Sequence, residues 1–416
     1  MSVIVTVTLV AGNLGLIFLL MTVPLGLRTV TVSRVIKADR ERLWQALWPF
    51  GSDAGWSGEI LSAEPLNGDG TALIRLSWDG RDGRPIERKA RFEDISEGSR
   101  FSMTVIEDTA LDPSFWANYR ETAEFVPEGD ATRVTLTRTD RYRGLAFLVF
   151  RFFAMRRELR KLDVWAATGT YRKGGWFEHP LSQIGFAVLS ALILWPFFGL
   201  NIGGLALAAI LTSVVALHEL GHMAAFRLTG HRRARMIFIP LLGGIAIGGR
   251  PYDSRFEVAF VALMGAGFSA FLVPVLIAAS GLASTEGHRL AAALLATLAG
   301  CASLFNIANL VPVWKFDGGQ VLRQICPGPV PLALASFLLL SSLLALGWRA
   351  GFSPSFLLIA GAVFAMLSLI TVGSGVKPRH ELKPIKTFDR LAMAGALLAV
   401  FAIHGYGMLW ASAQLM

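Results

Sequence analysis

Residues 202–226 read IGGLALAAILTSVVALHELGHMAAF, an apolar run whose ionisable side chains are confined to His218-Glu219-Leu220-Gly221-His222. A spanning helix needs about 20 apolar residues, and this stretch supplies them. Ionisable side chains at bilayer depth are costly and mark function by default. On a helix, positions i and i+4 share a face, so His218 and His222 can hold one metal ion between them. Glu219 then stands where it can take a proton from a water molecule at that ion.

The rest of the chain fits a membrane setting. Of its 416 residues 53% are hydrophobic and only 17% charged, with a mean hydropathy of +0.53, too apolar for an ordinary soluble enzyme. The net charge of +9 brings no nucleic-acid motif with it and reads as basic loops obeying the positive-inside rule, so no nucleic-acid partner is expected. Cys301 and Cys326 form neither a CxxC pair nor a secretory pattern and read as inert packing residues. Beyond Pro180, apolar segments near 181–199, 202–226, 256–281, 289–312, 330–348, 353–373 and 391–411 each approach the length of a span. The first 27 residues carry no charge and are followed by Arg28, Arg34 and Lys37, the pattern of an uncleaved anchor with its amino end outside. Eight spans are therefore expected. Arg227, Arg232, Arg233 and Arg235 then fall inside, as do Lys315, Arg323 and the basic loop holding Lys377, Arg379, Lys383 and Lys386.

From Thr29 to Trp176 charges become frequent. Thr71–Trp78, Phe101–Ile106 and Thr132–Thr139 alternate with period two like strands, Ala38–Trp48 reads as a short helix, and Leu145–Tyr171 as a long one. The segment Val32-Ser33-Arg34-Val35-Ile36-Lys37-Ala38, followed by Arg42-Leu43-Trp44, is similar to the opening strand and first helix of helix-grip domains of the polyketide-cyclase/START-like (SRPBCC) superfamily. The resemblance implies a domain that encloses an apolar cavity for a ligand or regulator, or a sensor or docking module without a ligand; the loop charges put it in the cytoplasm.

A second motif, Asn309-Leu310-Val311-Pro312-Val313-Trp314-Lys315-Phe316-Asp317-Gly318-Gly319, follows the fourth apolar segment beyond Pro180. Two histidines leave a catalytic zinc one protein ligand short, and Asp317 can supply the third, with Gly318 and Gly319 allowing the turn that would aim it. Together the two motifs resemble the site-2 protease family of intramembrane zinc metalloproteases. The resemblance implies Zn2+ held by His218, His222 and Asp317, Glu219 as general base and acid, and Asn309 contacting the substrate backbone or the developing oxyanion. It also implies a transmembrane protein as substrate, cut in regulated intramembrane proteolysis in a bacterial inner (cell) membrane. Met236–Gly249 resembles the family's re-entrant strand loop, and Gly265-x-x-x-Ser269 its small-residue packing motif. Many relatives have His where this chain has Gln320, and no PDZ domain is present.

The expected fold is a polytopic α-helical membrane protein with an inserted α+β helix-grip domain. Its parts are an anchor over 1–27, the soluble domain over 29–176, a catalytic membrane core over 181–325 and membrane helices over 330–416. The alternatives are a catalytically silent membrane scaffold and a lipid sensor acting through the helix-grip domain.

Overall fold

The computed structural model describes residues 8, 11, 12, 15, 16, 18–66, 68–171, 179–239, 243–313, 316–371 and 378–415. They form two compact units, Met1–Lys173 with Gly373–Glu381, and Gly174–Val372 with Leu382–Met416.

In the first unit the chain runs β1 (Pro24–Ile36), α1 (Arg40–Leu47), β2 (Ile60–Pro65), β3 (Thr71–Asp79), β4 (Pro85–Ser96), β5 (Arg100–Asp108), α2 (Pro113–Trp116), β6 (Arg120–Glu128), β7 (Ala131–Arg143) and α3 (Leu145–Thr168). The strands make one antiparallel sheet in the order β1-β7-β6-β5-β4-β3-β2. Alternation sorts its faces: Ala72, Ile74 and Leu76 of β3 and Val134 and Leu136 of β7 point into the core. On the other face, hydroxyl pairs Thr29–Thr139, Thr31–Thr137 and Ser33–Thr135 lie 2.8–3.2 Å apart across β1 and β7, which fixes their register. Helix α3 lays Met155, Leu159, Leu162, Trp165 and Ala166 on the core, at helical spacing.

The elements expected at 71–78, 101–106 and 132–139 are β3, β5 and β7, each longer at one or both ends. Helix α1 starts at Arg40 rather than Ala38 because the Asp39 carboxylate accepts the Arg42 N–H at 3.0 Å and caps it. Helix α3 stops at Thr168 rather than Tyr171 because Gly169 turns left-handed, φ 69°, and closes on the Trp165 carbonyl. The sheet also begins earlier than residue 29. Pro24 and Gly26 pair with Arg143 and Tyr142, so residues 24–27 belong to β1 and not to an anchor. The returning segment near Pro378 bridges Leu111, and Arg379 pairs with Glu107 at 2.7 Å, a strand-like closure that loop composition does not signal.

The second unit comprises α4 (Pro180–Leu194) with a 3-10 turn (Trp195–Phe198), α5 (Ile202–Leu228), a hairpin of β8 (Arg235–Ile239) and β9 (Gly243–Ile247), α6 (Arg255–Thr285), α7 (Arg289–Asn309), α8 (Asp317–Ile325), α9 (Pro329–Arg349), α10 (Pro354–Thr371) and α11 (Thr387–Leu415). Six helical segments among the described residues are long and apolar enough to cross a membrane, the marks of a multi-pass membrane protein. They are Pro180–Phe198, α5, α6, α7, α9 and, from α11, Thr387–Gln414. The expected count was eight. Of the other two, 1–27 lies partly outside the described residues and its residues 24–27 belong to β1, while α10 is described with its side chains only over the apolar stretch Pro354–Met366. Half of the apolar stretch of α6 is buried, against 11% for α9, so α6 is the central post on which α5, α7, α8 and α11 pack.

The core of the sheet unit depends on Trp44, which stacks on Trp48 at 5.3 Å and meets the edges of Phe101 and Phe125 at 5.5 and 5.6 Å. Trp44→Ala is expected to destabilise this unit by about 3–5 kcal/mol. Loss of protease resistance of residues 28–163 in isolated membranes, with the membrane helices still protected, measures it.

Candidate metal centre

Helices α5 and α6 touch backbone to backbone. A methyl group on Gly221 would lie 2.2 Å from the Met264 carbonyl oxygen, and one on Gly265 would lie 2.5 Å from His222 Nε2 and 2.6 Å from His218 Cε1. Only glycine at both positions permits the approach, the small-residue packing common between membrane helices. It brings the Val261 carbonyl within 2.8 Å of His222 Nδ1. A carbonyl only accepts, so that nitrogen carries the proton and His222 Nε2 presents a lone pair.

His218 is set in the same way from α7. Asn306 is fully buried; its Nδ2 donates to the Ala302 carbonyl at 2.7 Å, which turns its Oδ1 toward His218 Nδ1 at 2.8 Å. Nδ1 then carries the proton, and His218 Nε2 is also a lone pair. The two Nε2 atoms face each other at 3.1 Å, and Asp317 Oδ2 stands 3.1 Å from one and 3.5 Å from the other. His218 and Asp317 are buried, and Oδ2 has no hydrogen-bond donor. Three acceptors converging on one point without a proton between them repel one another. A cation removes the repulsion, and two imidazoles with one carboxylate suit zinc and leave a coordination position open.

Asp317 reaches this point because α8 begins on it. Gly318 and Gly319 are helical, and their role differs from the freely turning backbone expected. A methyl group on either would lie about 2 Å from the carbonyl of Leu310 or Val313, at 1.9 and 2.0 Å respectively, so glycine lets the 310–313 turn fold flat against α8. Asn309 ends α7, and its Nδ2 donates to Phe305 O on its own helix at 3.0 Å. The asparagine that supports the cluster is Asn306. Sequence reading passed over it, although a lone amide inside an apolar helix is itself a signal.

Glu219 meets the hairpin. Its Oε2 accepts the Ala246 N–H of β9 at 2.8 Å, and a methyl on Gly244 would lie 2.3 Å from its Cγ. The segment expected to be a re-entrant loop is thus a two-stranded hairpin, with residues 240–242 outside the described ones. Its exit is tied down by buried Glu257, whose carboxylate accepts from His231 Nε2 at 2.8 Å, Arg250 Nη2 at 2.6 Å and the Asp253 N–H.

The sheet unit holds a cavity of about 310 Å³. Ile74, Leu76 and Met103 line it, but so do Glu121, Arg138 and Glu158, so it is amphiphilic where an apolar one was expected. Arg138 bridges the two carboxylates, at 2.9 Å to each. Burial works to raise Glu121, but the charge and hydrogen bonds of Arg138 outweigh it and hold that carboxyl below its usual range. Burial, helped by the Glu121 charge, pushes Glu158 up.

A family model described as polyketide cyclase / dehydrase and lipid transport matches residues 28–163, so the chain carries a domain of that family over the sheet unit. Similar solved structures include a START superfamily protein from Mycobacterium smegmatis, at 14% identity and a TM-score of 0.26 over 34% of this chain and 99% of that one. Others are the Aha1 dimer from Colwellia psychrerythraea (15%, 0.28, 35% and 99%) and the Mll3558 protein from Rhizobium loti (23%, 0.25, 33% and 96%). No curated protein matches the chain.

Removing the Asn306 acceptor frees the His218 ring to rotate and to change tautomer. Asn306→Ala is expected to weaken zinc binding roughly 10–100-fold, while Asn306→Asp, which keeps an acceptor, retains most of it. Competition with a chromophoric chelator on the purified protein measures both. Equal affinity in Asn306→Ala would show that the ring is held by packing alone.

Proposed function

We propose that this chain is a zinc-dependent intramembrane endopeptidase that cuts transmembrane proteins, as its likeness to the site-2 protease family implies. The observation that carries the reading is the convergence of His218 Nε2, His222 Nε2 and Asp317 Oδ2, from α5 and α8, with Glu219 on the turn between the two histidines. When bound, zinc supplies Lewis acidity and lowers the pKa of a water molecule placed against it.

The chain's own residues do the rest. His218 and His222 keep their lone pairs on the ion because Asn306 and Val261 hold the other ring nitrogens. Glu219 takes a proton from the attacking water as its oxygen bonds the scissile carbonyl carbon. It returns that proton to the amide nitrogen as the C–N bond breaks. Glu219 is occupied by the Ala246 N–H of β9. A substrate segment that adds to β9 in extended form takes that N–H for its own carbonyl and releases Glu219 for water. Strand addition also supplies the hydrogen bonds an unwound substrate loses in a water-poor setting.

The amphiphilic cavity supports a regulatory role for the sheet unit, through a ligand with an apolar body and a polar group that meets the Glu121–Arg138–Glu158 floor. The family description, with its mention of lipid transport, agrees with an amphiphile. The charge pattern of the loops supports a cytoplasmic position for this unit.

Glu219→Gln is expected to abolish cleavage and retain zinc, whereas His218→Ala, His222→Ala and Asp317→Ala each lose zinc. Metal analysis of the purified variants, with mass spectrometry of membrane proteins cut by wild type and spared by Glu219→Gln, tests this. No protein spared by Glu219→Gln would mark a silent scaffold. Asn309→Ala is expected to retain zinc and slow cleavage roughly a hundred-fold, the effect of losing one oxyanion donor. Single-turnover rates on an identified substrate decide it, full activity dismissing the role for Asn309.

A further inference from the structure

Helix α3 is two helices in one chemical sense. Its second half packs Met155, Leu159, Leu162 and Trp165 on the sheet, but the turns before Met155 reach the core only through Leu148 and otherwise overhang. There Phe147, Phe150 and Phe153 are 49%, 72% and 60% exposed, and Leu145, Val149 and Phe152 are exposed beside them. A cluster of six large apolar side chains on one helix end is more than scattered surface hydrophobicity. At about 3.6 residues per turn, Phe150 and Phe153 share the outward side with Arg160, opposite Met155, while Arg157 lines the cavity. Arg156 follows within a turn, its guanidinium over the Phe152 ring at 5.5 Å. The outward face therefore passes from phenylalanine to arginine along the axis.

The overhang starts where the apolar amino-terminal stretch ends. Gly144 donates its N–H to the Val23 carbonyl at 2.8 Å, and a methyl on Gly144 would lie 2.4 Å from Leu20 O. The glycine, at φ 76°, lets the start of α3 sit directly against residues 20–23. Residues 1–23, ahead of β1, carry no charged side chain, so where they enter a bilayer they bring Phe147 and Phe150 to its surface.

We propose that residues 145–160 form an interfacial helix segment, with Phe147, Phe150 and Phe153 sunk into the edge of the acyl region and Arg156 and Arg160 on the phosphates of anionic lipid. Long basic side chains beside buried aromatic ones match that boundary in both chemistry and depth. The segment fixes the sheet unit to the bilayer at a second point, beside its covalent tether, and so sets which way its cavity faces. The proposal rests on the apolar residues ahead of β1, 1–23, being a membrane anchor.

The test uses the full-length chain with Cys301→Ala and Cys326→Ala, reconstituted in vesicles of equal parts phosphatidylglycerol and phosphatidylcholine. Single spin labels are placed through Phe150→Cys, Phe153→Cys, Leu16→Cys and Asp130→Cys. Asp130 sits in the β6–β7 turn, beyond the Ile36–Thr132 pair, at the far end of strands roughly 40 Å long. At positions 150 and 153, collisions with oxygen are expected to persist while those with a water-soluble nickel chelate are lost; position 130 should show the reverse. Adding Arg156→Ala and Arg160→Ala should restore chelate collisions at 150, and unchanged protection would overturn the role of anionic lipid. Aqueous behaviour at 150 and 153 with bilayer behaviour at 16 overturns the proposal and leaves the anchor standing. Aqueous behaviour at 16 removes its premise. Protection from both reagents at 150 and 153 also overturns it, in favour of a protein partner.

Discussion

Helices α5 and α6 cross where Gly221 faces the Met264 carbonyl and Gly265 faces the two imidazoles, and no side chain larger than hydrogen fits at either place. Everything at the candidate metal centre follows from that contact. It carries Val261 to His222, and it leaves room for His218 to turn toward Asn306. A helix pair separated by ordinary side chains would hold the same motif residues with neither ring nitrogen fixed. In an apolar medium the gain is larger than geometry alone, because an unheld imidazole there has no water to satisfy it.

The cluster is under electrostatic tension without a cation. Three acceptors, one of them a carboxylate oxygen with no donor, face one another inside a bundle of apolar helices. A cation would compensate such an arrangement, which is what makes the cluster a candidate metal centre. The second consequence concerns Glu219, which the hairpin occupies through one backbone amide. Because Glu257 ties His231, ahead of the hairpin, to Arg250 and Asp253 behind it by three hydrogen bonds, β9 stays at a set height against α5. The same edge that holds the carboxylate is the edge an extended chain would seek.

The sheet unit solves a different problem. Its strands and α3 enclose a cavity whose floor is a half-buried arginine shared by two carboxylates, so one carboxyl is held down and the other pushed up. A floor of that kind discriminates against purely apolar occupants, since covering it without hydrogen bonds would strand charge. The exposed phenylalanines at the start of α3 lie outside this cavity and need a separate explanation.

Much of this was legible in the sequence. Apolar runs near 20 residues marked the membrane helices, alternation marked β3, β5 and β7, and the i, i+4 histidines with Glu219 marked the site, because each signal is local and periodic. The approach of Asp317 to the two histidines was legible too, since the expected chemistry was one ligand short. Strand limits were less so: β1 runs back to Pro24 because Arg143 and Tyr142 pair with it, and those partners lie more than a hundred residues away. Asn306 stayed hidden behind Asn309 because its role is defined by a ring on another helix, and the mixed lining of the cavity because its charges come from separate strands and α3. Period and composition are properties of neighbours in the chain, whereas a hydrogen-bond partner, a glycine contact or a shared guanidinium is a property of neighbours in space, and only the folded structure decides those.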